Sequence, residues 1–151
     1  MSLNEEVDLL RRVPLFSNIE PSKLKLLAFT SERLTFRAGQ SLCVQGEIGD
    51  AAYVIIEGQC DVTIDTPNGS LTLATVGQDD FVGEIAILCD VPRTATVTAT
   101  DEVTVLKISK DLFLRMISEF PQMGVEVMRE LAARLERTTI QLREARIAAS
   151  T

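Results

Sequence analysis

Phe81-Val82-Gly83-Glu84-Ile85-Ala86-Ile87-Leu88-Cys89-Asp90-Val91-Pro92-Arg93-Thr94-Ala95-Thr96-Val97 is the stretch on which the reading of this chain turns. Gly83-Glu84-Ile85-Ala86 can open a short helix inside a β-rich region, with Glu84 near its positive end. Pro92 returns the chain to extended structure. Arg93 follows, and it is an unusual residue for its surroundings. Between Arg37 and Lys107 the chain carries eleven carboxylates and a single basic side chain, Arg93. A guanidinium offers a fork of donors matched to phosphate oxygens, and a helix start offers N–H groups without partners. Gly83 allows a ligand close to the backbone, and Thr94 adds a hydroxyl. Glu84 fits beside such an anion site if the ligand also brings a hydroxyl donor, as a ribose does. A ligand without that hydroxyl would leave the carboxylate buried and unpartnered. On these residues alone a second reading stands beside the first, in which Glu84 and Arg93 form an ordinary ion pair.

Working outward, the segment before this stretch reads as many short strands. Leu34-Thr35-Phe36, Ala52 to Ile56, Cys60 to Ile64 and Leu71 to Ala74 are β-rich, with glycines punctuating them. Pro67-Asn68-Gly69 signals a hairpin turn at Asn68-Gly69. After Arg93, the runs Thr94 to Thr100 and Val103 to Leu106 continue the pattern, which suggests a sandwich or barrel. Helices flank it. Asn4 to Arg12 precedes Pro14; Glu20-Pro21-Ser22 opens a second helix carrying Leu24, Leu26 and Leu27. Ser109 is placed to cap a helix over 110–120, and Pro121 starts a longer one reaching about Ala148. The expected architecture is mainly β: a double-stranded, jelly-roll-like β-roll over 33–108, helices over 4–30 and 110–148, and one domain over 1–151.

Composition narrows the chemistry. There is no histidine, so His-ligated metals and Ser/His or Cys/His nucleophile pairs are excluded. No Trp, one Tyr and a formal net charge of −7 argue against a nucleic-acid surface. Cys43, Cys60 and Cys89 are scattered and odd in number, which fits a reduced, cytoplasmic protein and no metal cluster. No run is long enough for a membrane span, and Met1-Ser2-Leu3 is too short for a signal peptide.

The run from Phe81 to Ala86 and on through Pro92-Arg93-Thr94-Ala95-Thr96-Val97 resembles the phosphate-binding cassette of cyclic-nucleotide-binding domains. Gly46-Glu47-Ile48-Gly49-Asp50, with Tyr53, Ile55 and Gly58, resembles the family's glycine turn and strand, and Leu10 to Phe16 resembles its opening segment. The resemblance implies a β-roll enclosing cyclic AMP or cyclic GMP, with no catalysis and no cofactor. It places Val82, Gly83, Glu84, Ile85, Ala86, Arg93, Thr94 and Ala95 around the ligand. Glu84 would take the ribose 2′-hydroxyl; Arg93 and the N–H groups of Ile85 and Ala86 would hold the phosphate. Thr94 stands where the family has Ser, Thr or Ala, and Thr there tends to permit cyclic GMP. The interval from Arg93 to Thr138-Thr139 matches that to a base-contacting pair in the catabolite-activator type, with Arg134 and Arg137 flanking it. That type continues into a DNA-reading module, which this sequence does not contain, so an effector outside the chain is expected.

The last helix carries Met128, Leu131, Leu135, Thr138, Leu142, Ala145 and Ala149 at alternating steps of three and four. Two uses fit: a seam between two subunits, or a stripe laid on the chain's own roll. Three other functional readings stand beside ligand binding. A cupin-like enzyme conflicts with the absence of histidine. A ligand-free interaction roll conflicts with the presence of both Glu84 and Arg93. A sensory fragment of a transcription factor shares the ligand and differs only in its effector.

Overall fold

The computed structural model describes residues 3–150, with side chains through 149; Met1 and Ser2 of the opening tripeptide lie outside the described residues. The order is α1 (Leu3–Arg12), a 3-10 turn (Pro14–Phe16), α2 (Pro21–Thr30), β1 (Glu32–Phe36), β2 (Ser41–Cys43), β3 (Ala51–Glu57), β4 (Cys60–Thr66), β5 (Gly69–Val76), β6 (Phe81–Val82), α3 (Glu84–Cys89), β7 (Thr96–Ala99), β8 (Val103–Ser109), α4 (Lys110–Glu119) and α5 (Pro121–Ser150). The eight strands form two four-stranded antiparallel sheets, ordered β1-β8-β3-β6 and β2-β7-β4-β5. This is the expected β-roll with flanking helices.

The strand β3 explains the layering. Ala51 to Ile56 are all buried, as a continuous apolar run requires when both faces of a strand are covered. Side chains alternate across a strand. Ala51, Tyr53 and Ile55 therefore point into the roll, with Val97, Ala99, Val103 and Val105. Ala52, Val54 and Ile56 point outward into a second core beneath the helices. There they meet Leu10, Phe16 and Leu27 from the N-terminal side and Phe113, Met123 and Val127 from the C-terminal side. The helices are thus anchored to the back of the sheet whose front lines the roll.

Local chemistry sets the boundaries. Oγ of Ser109 accepts the Leu112 N–H at 3.2 Å, the capping bond that its position suggested. Pro21 and Pro121 occupy first positions of α2 and α5. Leu24 and Leu27 are buried on α2, whereas Leu26 faces solvent. Two short strands, β2 and β6, escaped the sequence reading because two or three residues carry no measurable alternation. The β4–β5 hairpin pairs Thr66 with Gly69, so its loop is Pro67-Asn68, one residue earlier than expected. Pro67 supplies the bend there, and Gly69 closes it at φ 114°.

Candidate functional site

Arg93 arrives on an extended segment between α3 and β7, and its backbone is clamped from both directions. Its N–H donates to the Glu47 carbonyl at 2.8 Å, and its own carbonyl accepts from the Gly46 N–H at 2.8 Å. The glycine turn at 46–50 is therefore the bracket that positions Arg93. Arg93 as a whole is 7 % exposed. Nη1 donates to the Gly83 carbonyl at 2.8 Å, and Nη2 to the Ala51 carbonyl at 2.7 Å. Two glycines make this seat possible. A Cβ on Gly49 would stand 2.6 Å from Arg93 Nε, and one on Gly83 would stand 2.7 Å from Nη1. Gly83 also adopts φ 89°, a conformation that favours glycine.

Among the described residues no carboxylate pairs with Arg93. Its two acceptors are neutral carbonyls, and three of its five N–H donors remain for something else. A buried cation without a counter-charge is costly. The ion-pair reading of Glu84 and Arg93 does not hold in this geometry.

Glu84 takes a different partner. It is 1 % exposed, and its Oε1 accepts from Nη1 of Arg134 on α5 at 2.7 Å. The same guanidinium donates through Nη2 to the Phe81 carbonyl at 2.6 Å and lies 5.0 Å over the Phe81 ring. Its Nε faces Glu130 at 3.3 Å. Burial pushes the Glu84 carboxyl above its ordinary value, and the charge of Arg134 opposes that rise. One arginine thus ties the last helix to both the roll and the cassette.

These groups border one cavity of about 660 Å³, within the usual range for a small-molecule site. Its wall combines Cys43, Val62 and Val97 from the roll with Leu73 to Val76 of β5. Burial raises the Cys43 thiol to about 11, so it is uncharged at neutral pH. Six acidic or basic side chains border the cavity: Asp80, Glu84, Glu130, Arg93, Arg134 and Arg137. Arg134 contacts Glu84 and Glu130, and Arg137 stands 3.7 Å from Glu130. Arg93 is left as the cation for an incoming anion.

The structure brings together Val82, Gly83, Glu84, Ile85, Ala86, Arg93, Thr94 and Ala95, and adds Arg134, Arg137 and Thr138 from α5. Gly83 caps α3 without a side chain, and Ile85 and Ala86 border the cavity just beyond it. Thr139 is a correction. It lies on a separate shallow groove with Leu142, Arg143, Arg146 and Ile147, because adjacent helical residues point about 100° apart. Arg134, expected to flank the base, borders the cavity and bonds Glu84. The sequence reading missed Asp80, Glu130 and Gln141. Glu130, Arg134, Arg137, Thr138 and Gln141 recur at helical spacing along one face, a signal that was present and unused.

A buried guanidinium without a carboxylate partner and a buried carboxylate thus border one cavity of a β-roll. The family model for the cyclic nucleotide-binding domain matches residues 33–120, more than half of the chain. The chain belongs to the cyclic nucleotide-binding domain family. It is 32 % identical over 136 residues to a CRP-like cAMP-activated global transcriptional regulator of Mycobacterium tuberculosis, covering 89 % of this chain and 61 % of that protein. It is 35 % identical over 108 residues to a cAMP-dependent protein kinase regulatory subunit of Yarrowia lipolytica, covering 72 % of this chain and 28 % of that one. Among solved structures, the catabolite activator protein of Thermus thermophilus superposes with a TM-score of 0.76 at 25 % identity, over 86 % of this chain and 62 % of that one. The chain spans less than two thirds of each of these relatives.

Proposed function

We propose that this chain is a non-catalytic regulatory domain that takes cyclic AMP in preference to cyclic GMP. The observation that carries the reading is the unpaired, buried guanidinium of Arg93 on the cavity wall. A cyclic phosphate monoanion supplies the missing counter-charge, with the N–H groups of Ile85 and Ala86 as further donors. Glu84 has two oxygens and about four acceptor sites, so it can hold Arg134 and a ribose 2′-hydroxyl together. Thr94 and Ala95 stand beside the phosphate position, and Arg137 and Thr138 beside the base.

Signalling in this account passes through α5. Arg134 on α5 grips Glu84, the carboxylate that also meets the ribose, so a ligand at Glu84 alters what holds the helix. A ligand shifts such an equilibrium only by its differential affinity for the two helix positions. An effector beyond this chain receives that shift. Beyond Arg134 the side chains of α5 are exposed through residue 149, including Leu135, Leu142 and Ile147. That outer half suits pairing with the same helix of a second copy. The three free cysteines suit a reducing, cytoplasmic setting.

Thermal melting with cyclic AMP, cyclic GMP and linear 5′-AMP tests the ligand class. Bound ligand raises the melting temperature by mass action. Cyclic AMP should raise it, cyclic GMP should raise it less, and 5′-AMP should do little. No rise with either cyclic nucleotide at millimolar concentration would refute the proposal.

A further inference from the structure

We infer that Gln45 is a positioning residue for the ligand site, which holds Thr94 and Ala95 out of the sheet and against the cavity; this rests on the cyclic-nucleotide reading above. β7 begins at Thr96. Its ladder with β4 pairs Cys60 with Ala99, Asp61 with Thr98, Val62 with Val97 and Thr63 with Thr96. Two residues further in that register, Asp65 would face Thr94. The ladder stops short of that pair, and Thr94 and Ala95 border the cavity instead.

The departing strand leaves a backbone group of β4 to be met. In an antiparallel ladder, hydrogen-bonded and non-hydrogen-bonded pairs alternate. The Thr100 N–H donates to the Gln59 carbonyl at 3.0 Å, and those two residues lie in the same register. The hydrogen-bonded pairs are therefore those at Gln59, Asp61, Thr63 and Asp65. The Asp65 N–H thus points to the place that Thr94 has vacated, where a backbone donor calls for an acceptor. Gln45 supplies it, accepting that N–H on Oε1 at 2.7 Å. Its own N–H donates to Oγ1 of Thr96 at 2.9 Å, and Gly46 next to it donates to the Arg93 carbonyl. Gln45 and Gly46 fasten the segment on both sides of Thr94 and Ala95, while the Gln45 amide fills the gap in the ladder. Without that amide, the acceptor in register for the Asp65 N–H is the Thr94 carbonyl. Extending β7 to take it would withdraw Thr94 and Ala95 from the ligand. Gln45 itself does not border the cavity, so it acts through them.

The test is calorimetric titration of the wild type, Gln45→Leu and Gln45→Glu with cyclic AMP, together with amide hydrogen exchange at Thr94 in the free proteins. Leucine removes the acceptor and should weaken cyclic AMP about fivefold to tenfold, the scale of one hydrogen bond. Glutamate keeps an oxygen at the same reach and should restore most of that affinity. Exchange at Thr94 separates positioning from simple bracing. If β7 extends in Gln45→Leu, the Thr94 N–H gains the Asp65 carbonyl and should exchange more slowly than in the wild type. A brace that only stiffens the roll would, when lost, speed it. Undiminished affinity in Gln45→Leu, a glutamate variant as weak as the leucine one, or faster exchange at Thr94 would each overturn the inference and leave the cyclic-nucleotide reading standing. A wild type that binds no cyclic nucleotide would remove that reading, and this inference with it.

Discussion

Nη1 of Arg134 lies 2.7 Å from Oε1 of Glu84, across fifty residues of chain and between the last helix and the cassette. Glu84 is almost wholly buried, so its charge is tolerable only with that partner in place. The helix and the pocket are therefore coupled through one charge pair, and the pair has consequences for pH.

Burial raises the Glu84 carboxyl above its ordinary value of 4.5. A folded-state value above the unfolded one means that the native protein holds its proton longer. The associated stability is complete below 4.5 and is lost as pH rises through the raised folded value. Denaturant midpoints of the free protein should fall across that window, and Glu84→Gln should flatten the fall. Arg134→Ala removes the group that opposes the rise and should extend the fall to higher pH. It should also destabilise the protein at neutral pH by about 1–3 kcal/mol. A midpoint independent of pH in all three would contradict the pairing.

Gly49 and Gly39 make a matched comparison. A Cβ at Gly49 would enter the Arg93 guanidinium, 2.6 Å from Nε, whereas one at Gly39 meets nothing within 4 Å. Gly49→Ala should weaken cyclic AMP more than about tenfold, since seating the cation is worth several kcal/mol. Gly39 adopts φ 90°, so Gly39→Ala should cost about 1 kcal/mol of stability and leave affinity unchanged. Calorimetry and chemical denaturation of the two variants read both quantities.

Thiol reactivity reports the cores. Burial raises Cys43 and Cys60 to about 11, so almost no thiolate exists at neutral pH, while Cys89 is exposed. A disulfide reagent should titrate one thiol per native chain rapidly and the other two on unfolding. Rapid reaction of all three would mean that the roll is open.

The outer half of α5 predicts self-association. Leu135 and Leu142 are 68 % and 60 % exposed, and a helix with such a stripe gains by covering it. Sedimentation should find a dimer that Leu135→Glu with Leu142→Glu dissociates. A monomeric wild type at high micromolar concentration would remove the dimer from the account.

Much of this molecule was legible in order along the chain. The apolar run from Ala52 to Ile56 marked a strand, and Ser109 and the two prolines marked helix starts. Glu84 and Arg93 stood out because their charges contradict their surroundings, and burial is where such a contradiction is resolved. What could not be read depends on where elements settle in space. The seat of Arg93 is built from the carbonyls of Gly83 and Ala51, and backbone atoms leave no mark in a residue pattern. Thr139 was assigned to the cavity because interval matching ignores how a helix is rotated. Marking one face from Glu130 to Gln141 at helical spacing would have excluded Thr139 and found Gln141. The Arg134–Glu84 bond would still have needed the docked helix.

Calorimetric titration of Arg93→Ala with cyclic AMP, beside the wild type and with melting temperatures for both, tests the role of Arg93 most directly. Removing the cation that meets the phosphate should cost about 2–5 kcal/mol of binding free energy in a protein that still melts cooperatively. Undiminished affinity in that variant would show that the phosphate is held elsewhere, and the central claim would be wrong.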